Sequence, residues 1–281
     1  MSSAVLLAQE PCTPPSLNLS PPGRSIFSER QEEDLGDIMA QRLRYLRVSD
    51  DPSVTAYMAR IGDRLAQHLP STQFHFRYLL VDSAWANAFS LPGGRIYVSR
   101  GTIAQLRGPD EMAAILAHEM GHVVTHQGAL DATLLIEQVL GVTEVTDRQD
   151  IQKKLDDLGT NWRRNPAAFR QVARRKEQEQ LLADQVALYA ITAAGYSPEI
   201  YPVLFDRIAN TGGKTGDWLS DLLHVTPPDQ LRLREMLKAV EALPKACIAR
   251  QPEARAGEFK NWQTSVFDFS GWTKRTANLH G

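Results

Sequence analysis

Long apolar runs are absent from this sequence, and so is any excess of charge of one sign. No stretch approaches the about 18 to 20 apolar residues that cross a bilayer, so no transmembrane helix is expected. The 31 basic and 33 acidic side chains give a net charge of -2, which offers no electrostatic attraction for nucleic acid. We therefore expect no nucleic-acid partner and no membrane span, while a peripheral contact with a membrane stays open.

Cysteine is scarce as well. The sequence contains Cys12 and Cys247, one near each end, and no CxxC pair that could hold a structural metal. The two thiols could pair in an oxidising compartment or both stay free, and the sequence leaves these alternatives open.

The distribution of proline and aromatic residues divides the chain into three parts. Five prolines fall between residues 9 and 24, a composition typical of an extended tether, so residues 1–24 are interpreted as a tether or the remnant of a signal peptide. Residues 25–250 carry the helix and strand patterns of one catalytic domain. Residues 251–281 hold several aromatic side chains and are expected to pack back onto the domain as a short strand or clamp.

The first residues bear on cellular location. The apolar stretch at residues 4–8 is shorter than the about 7 to 15 residues of a signal-peptide core, yet it resembles the end of one. We therefore expect a start codon further upstream and a periplasmic or secreted protein, with a cytoplasmic location as the alternative.

One short stretch, "LAHEMGHVVTH" at residues 116–126, points to metal chemistry, and its pattern predicts a helix over 111–126. His118 and His122 lie one turn apart on one face of that helix, so both imidazoles can reach one metal ion. Glu119 lies about 100° round the helix, where it can take a proton from an activated water without being a ligand. The spacing is that of the zinc-peptidase motif HExxH, and the alternative is a helix that carries two histidines by chance.

His126 continues the same stripe but is not predicted to bind the metal. At about 1.5 Å rise per residue it lies about 12 Å from His118 along the axis, too far to share an ion with it. The residues after His122 also lack the glycine and third histidine of the metzincin pattern. His126 is therefore expected to support the site or to pack.

Three stretches extend the motif into a family resemblance: "NAFSLPGGRIYVSRG" (87–101), "EMAAILAHEMGHVVTHQG" (111–128), and "AD" at 183–184 followed by "AGYSP". Over about residues 26–245 the chain resembles the zinc metallopeptidase family that includes the CAAX prenyl protease, HtpX and BepA. The resemblance implies an α+β, mainly helical, zincin-like metallopeptidase domain with a small antiparallel sheet beside the HExxH helix. It also implies one Zn2+ per chain and hydrolysis of peptide bonds.

The resemblance assigns roles to individual residues. It implies His118 and His122 as metal ligands, Glu119 as the catalytic base, and Asp184 as a carboxylate that holds a ligand histidine by its other ring nitrogen. The family's third ligand is a glutamate four residues before that aspartate, where this sequence has Gln180.

The third ligand is therefore the main question that the sequence raises. Because a neutral amide is a poor zinc ligand, we predict Glu179, which needs a π-bulge or a shifted turn to face the metal. Glu177 lies on the same helix face as Gln180 but one turn further away. The remaining alternative is an altered centre that binds metal weakly.

A second family motif, a loop with a histidine, a proline and a later arginine, is partly kept. Pro227 and Arg232 are present, but Thr226 stands at the histidine position. His224 could substitute for the missing histidine or be an ordinary surface residue.

A sheet edge is expected beside the metal. Strands are predicted over 74–82 and 95–99, and the "PGG" between them consists of residues that favour turns. Such an edge binds extended peptide through backbone hydrogen bonds with little side-chain selectivity. The candidate substrate-binding residues are Asn87, Ala88, Phe89, Pro92 and Gly93.

The sequence thus predicts a zinc-dependent metalloendopeptidase that cleaves unfolded or misassembled proteins. The alternative is a chaperone-like protein that binds unfolded polypeptide and has an impaired metal site because of Gln180.

Overall fold

The computed structural model describes residues 12–17, 19, 23–43, 46–70, 72–161, 164–208, 230–248 and 256–270. The helices are α1 (Glu29–Arg42), α2 (Pro52–Ala66), α3 (Arg100–Gln105), α4 (Pro109–Val124), α5 (Gln127–Leu135), α6 (Arg148–Asn161), α7 (Pro166–Ala193), α8 (Ile200–Ile208), α9 (Gln230–Glu241), α10 (Lys245–Ile248) and α11 (Ala256–Asp268), with a π-helical turn at Ile136–Leu140. The strands are β1 (Val48–Ser49), β2 (Arg77–Val81), β3 (Ala88–Leu91) and β4 (Arg95–Ser99). None of the helices in these ranges is long and apolar enough to cross a bilayer.

The strands form one four-stranded sheet in the order β1-β2-β4-β3. The expectation of a mainly helical α+β domain is confirmed, but the sheet is mixed rather than antiparallel, because β2 and β4 run parallel while β1 and β3 are antiparallel to their neighbours. The reason is that β3 and β4 form a hairpin and β4 inserts between β3 and β2. This order leaves β3 at the edge of the sheet.

The sheet separates two apolar cores. Ile96 and Val98 of β4 pack on the side of α2 and α4, whereas Leu91 of β3 and Tyr97 of β4 face the side of α1 and α5. This alternation follows from the two-residue period of a strand. Helix α4 is buried almost along its full length, so the histidine motif lies inside the molecule, and a cleft beside β3 reaches Glu119 and His122.

The turn between β3 and β4 packs directly against α1. Gly93 has φ 77°, a backbone conformation that glycine adopts without strain. A Cβ atom added at Gly36 of α1 would lie 1.9 Å from the Pro92 carbonyl oxygen, and one added at Gly93 would lie 2.6 Å from Glu33 Cα. The close approach of this turn and α1 therefore depends on glycine on both sides.

The aromatic segment near the C-terminus packs back onto the domain, but as a helix. Phe259, Trp262 and Val266 of α11 join the core around α2, and the Trp262 indole donates a hydrogen bond to the Val54 carbonyl oxygen at 2.8 Å. The expectation of a short strand is wrong for this segment, because its apolar residues recur at three- and four-residue intervals, which is the helical period.

The two cysteines form a disulfide, Cys12–Cys247, across a sequence separation of 235 residues. Of the two alternatives left open above, pairing is the one that the structure contains. The bond joins the proline-rich N-terminal segment to the buried side chain of α10.

Removing this bond is expected to lower the free energy of unfolding by about 2 to 4 kcal/mol, because the cross-link restricts the unfolded chain. The measurement is chemical denaturation with and without reductant, with the Cys12→Ser/Cys247→Ser variant as the control that should not respond to reductant. Equal unfolding midpoints for the oxidised and reduced wild type would contradict the prediction.

Candidate metal centre

Helix α4 carries both histidines of the motif at the bottom of the cleft. His118 is 1% exposed, and its Nε2 atom lies 3.1 Å from His122 Nε2. Helix α7 packs closely against α4 at Gly121 of the motif. A Cβ atom added at Gly121 would lie 2.8 Å from the Ala183 carbonyl oxygen of α7. Glycine at this position therefore lets α7 bring its own side chains up to the two imidazoles.

The other ring nitrogen of His118 is held by a buried polar network. His118 Nδ1 lies 3.0 Å from Asp184 Oδ1 and 3.0 Å from the Tyr201 hydroxyl, which donates to Asp184 Oδ1 at 2.8 Å. Arg232 donates to the two oxygens of Asp184 at 2.6 and 2.8 Å. Because an ionised carboxylate can only accept, His118 carries its proton on Nδ1 and turns the lone pair of Nε2 towards His122.

The pKa of Asp184 lies well below its usual value. Burial by itself raises this pKa, but the bonds from Arg232 and His118 and the charges of both partners lower it further than burial raises it. Asp184 is therefore ionised in the folded protein, as the network around His118 requires.

His122 is oriented in the same way by an amide. Its Nδ1 atom contacts Gln127 Oε1, and the Gln127 Nε2 group donates to the Glu179 backbone carbonyl at 2.8 Å. Because this places the amide oxygen of Gln127 towards the ring, His122 Nδ1 carries the proton and Nε2 its lone pair. Burial and the neighbouring His118 lower the pKa of His122 to about 3, so the ring is neutral and available as a ligand.

Gln180 of α7 is the third side chain at this point. Its Oε1 atom lies 3.1 Å from His118 Nε2, and its Nε2 atom lies 3.2 Å from His122 Nε2. Gln180 thus contacts both imidazole nitrogens, each through a different atom of its amide. Ligands at about 2.0 to 2.1 Å from a tetrahedral zinc ion are themselves about 3.3 Å apart, so the 3.1 Å between the two imidazole nitrogens is close to the spacing of two ligands of one zinc ion.

Among the described residues, no three His, Cys, Asp or Glu side chains converge on a point that could hold a metal ion. The reason is that the third side chain beside the two imidazole nitrogens, that of Gln180, is an amide. Glu179, the predicted ligand, lines the same cleft and lies 3.6 Å from Arg175, but α7 is α-helical throughout, without the π-bulge that this prediction needs. Ligation by Glu179 stays a prediction, and the side chain of Glu177 lies outside the described part of the structure.

Glu119 points to the mouth of the centre. It is 4% exposed and accepts a hydrogen bond from the Ser90 hydroxyl of β3 at 3.0 Å. Burial raises the pKa of Glu119, and this effect is larger than the opposing effects of His118, Ser90 and Arg232. A carboxylate with a raised pKa is better suited to take up a proton near neutral pH than an exposed one.

His126 stands apart from the centre. Helix α4 ends at Val124, two residues earlier than predicted, and His126 takes the left-handed conformation with φ 56° between α4 and α5. Its Nδ1 atom lies 2.9 Å from Glu32 Oε1 of α1. His126 therefore links α5 to α1 and is not part of the histidine pair.

The predicted substrate-binding residues fall into two groups. Phe89 and Pro92 line the cleft, whereas Ala88 is buried in the strand and Gly93 packs on α1. The N–H of Asn87 donates to Ser99 Oγ, and its carbonyl oxygen accepts from the Ser99 N–H and the Thr102 hydroxyl. The backbone of Asn87 is thus already hydrogen-bonded within the domain.

The loop motif with His224, Thr226 and Pro227 lies outside the described residues, and Arg232 is the member of that motif whose place is seen.

Comparison with known proteins identifies the family. The family model described as peptidase family M48 matches residues 52–240, which is more than half of the chain and includes the histidines of α4, the polar residues of α7 and Arg232. The chain belongs to peptidase family M48. This M48 member is therefore related to known peptidases, and its histidine pair lies within the matched region.

Individual relatives are distant. The M48 chain is 25% identical over 226 residues to the mitochondrial metalloendopeptidase OMA1 of Schizosaccharomyces pombe, covering 80% of this chain and 64% of that protein. It is 24% identical over 202 residues to the beta-barrel assembly-enhancing protease of Escherichia coli, covering 66% of this chain and 39% of that protein. The chain thus spans less than two thirds of the length of either relative.

Three residues of the centre were not found by sequence reasoning. Tyr201 bonds His118 from a position outside the quoted stretches, and Gln127 lies in the stretch 111–128 but carries no signal that it would contact His122. Ser90 could have been found, because it is a polar residue between Phe89 and Leu91 and alternation along β3 places it on the opposite face of the strand from them.

Proposed function

We propose that this M48 member is a zinc-dependent endopeptidase. The observation that supports the proposal best is the pair of Nε2 lone pairs, 3.1 Å apart, which Asp184 and Gln127 turn towards each other. Two acceptors facing each other at this distance are unfavourable, and the nearby Gln180 N–H can donate to only one of them. A divalent ion held by His118 and His122 satisfies both.

In this proposal, each side chain around the histidine pair has its own role in the hydrolysis of a peptide bond. His118 and His122 would hold a zinc ion, which would supply Lewis acidity to the scissile carbonyl and to the attacking water. Glu119 takes the proton of that water and passes it to the leaving amine. Ser90 fixes the Glu119 carboxylate through their hydrogen bond, and Asp184 and Arg232 keep His118 in the orientation that offers Nε2.

We propose unfolded or misassembled polypeptide as the substrate. In the described residues β3 pairs with β4, and its other edge borders the cleft. Since Ser99 N–H bonds the Asn87 carbonyl, the alternating antiparallel pattern turns the backbone groups of Ala88 and Ser90 outwards. An extended peptide can add to this edge, which a folded protein cannot do without opening its own structure.

We also propose an oxidising compartment, the periplasm or the outside of the cell, as the place of action. The disulfide Cys12–Cys247 supports it, because such bonds persist where thiols are not kept reduced. The names of the E. coli and yeast relatives, a protease of β-barrel assembly and a mitochondrial metalloendopeptidase, are compatible with a role in protein quality control.

The proposal is tested on the purified protein by measuring zinc per chain and the cleavage of casein, a disordered substrate. We expect about one zinc per chain, cleavage that a chelator abolishes and zinc restores, and no cleavage of a compact folded protein. His118→Ala should lose both zinc and activity. Absence of cleavage, together with suppression of aggregation that a chelator does not change, would instead favour the chaperone-like alternative.

A further inference from the structure

We infer that the Gln180 side chain is the third corner of the metal centre, and that its neutral amide lets the centre lose and regain zinc without loss of the fold. The inference rests on the proposed function, since it concerns the same ion. It differs from the prediction of Glu179 and from the family pattern, in which a glutamate stands at this place.

The first argument is helical phase. Gln180 and Asp184 are four residues apart on an uninterrupted α-helix and so lie on one face. Asp184 contacts His118 Nδ1 and Gln180 contacts His118 Nε2, so one face of α7 holds both nitrogens of the same ring. Glu179 is about 100° away from this face, and bringing its carboxylate in would remove Gln180 or Asp184 from contact.

The second argument is the number of donors. When no metal is bound, the Gln180 amide can donate an N–H to His122 Nε2, and the two atoms are 3.2 Å apart. When an ion is bound, the same amide can turn its oxygen to the ion. Glutamine thus gives the buried His122 nitrogen a donor in the metal-free state, which an ionised glutamate cannot do because it has no donor.

The third argument is charge. The centre already contains the buried carboxylates of Glu119, Glu179 and Asp184, which are 4%, 5% and 3% exposed. A glutamate at position 180 would add a further negative charge at low dielectric, and in the absence of a cation such a charge is costly. The amide avoids this cost in the metal-free protein but gives up the Coulomb attraction that a carboxylate has for Zn2+.

The test compares zinc affinity, measured by competition with a chromophoric chelator, in the wild type and in Gln180→Glu, Gln180→Ala and Glu179→Gln. Gln178→Glu makes the same chemical change on the exposed side of α7 and is the matched control. We expect Gln180→Glu to bind zinc about 100-fold more tightly and Gln180→Ala about 10-fold more weakly. Gln178→Glu should stay within about twofold of the wild type because its charge is exposed and screened, and Glu179→Gln should weaken zinc binding less than Gln180→Ala does.

Thermal unfolding of the metal-free and zinc-loaded proteins tests the second half of the inference. The metal-free wild type should unfold at a higher temperature than metal-free Gln180→Glu, and added zinc should raise the Tm of Gln180→Glu much more than that of the wild type. This readout does not depend on peptide cleavage.

The outcomes separate the inference from the proposed function. Loss of zinc in Glu179→Gln with no change in Gln180→Ala would overturn the inference and leave the enzyme proposal intact. The expected affinities without cleavage of any peptide would overturn the enzyme proposal and leave the inference intact. Absence of zinc from every variant would overturn both.

Discussion

Glu119→Gln is expected to lower the rate of peptide hydrolysis by about 10² to 10⁴-fold, because the amide cannot take the proton of the attacking water. The substitution preserves the size of the side chain and can keep the hydrogen bond from Ser90. Zinc content and thermal stability should therefore remain close to those of the wild type.

The measurement is the initial rate of cleavage of an internally quenched peptide at saturating zinc. Glu137→Gln, the same change at an exposed position of the π-helical turn, is the control and should keep full activity. A Glu119→Gln enzyme that cleaves at the rate of the control would rule out this residue as the base, even if zinc is essential.

Asp184→Asn is expected to lower the free energy of unfolding by about 3 to 5 kcal/mol, because it leaves the buried Arg232 without its counter-charge. Arg232 is 5% exposed and donates to both oxygens of Asp184. The amide of asparagine has one acceptor oxygen in place of two, and its NH2 group faces a donor wherever the second oxygen of Asp184 accepted a hydrogen bond.

The contribution of Asp184 to the free energy of unfolding should depend on pH in a defined direction. The pKa of Asp184 is lower in the folded protein than its ordinary value of 3.8, so the unfolded chain binds the proton more readily. The contribution of Asp184 to stability is therefore complete above about pH 4 and decreases as the pH falls below the unfolded pKa. Asp184→Asn should remove this part of the acid sensitivity.

Urea denaturation measures the loss of stability. Asp157→Asn, which breaks the exposed ion pair with Lys153, is the control and should change the unfolding free energy by about 0 to 1 kcal/mol. The pair Asp184→Leu/Arg232→Met should recover much of the stability, because it removes both buried charges. A cost for Asp184→Asn no larger than that of the control would mean that the ion pair does not hold the centre together.

The parts of the centre that the sequence predicts are those set by one helix. His118, Glu119 and His122 are related by the period of α4, and the structure places them as that period requires. Gln180 is also where the helical period puts it, four residues from Asp184. The prediction of Glu179 gives the chemical preference of zinc more weight than the phase of α7, whereas the side chain that contacts both histidines in the uninterrupted helix is Gln180.

The parts that the sequence does not predict come from contacts between distant segments. Tyr201 reaches His118 from α8, and Gln127 reaches His122 because His126 turns the chain in the left-handed conformation. The sheet order is of the same kind: hydrophobic alternation locates β2 and β4 but does not say that they are neighbours and parallel. Such pairings depend on which surfaces meet after the elements have formed.

The backbone contact between α1 and the turn of β3 and β4 has a consequence for exchanging parts between relatives. Helix α1 precedes the matched region 52–240, yet Gly36 and Gly93 fit it against the turn that borders the cleft. A chimera that takes its catalytic region from one relative and its first helix from another would bring together two surfaces that were not selected as a pair. A functional chimera should therefore take α1 and the turn between β3 and β4 from the same relative.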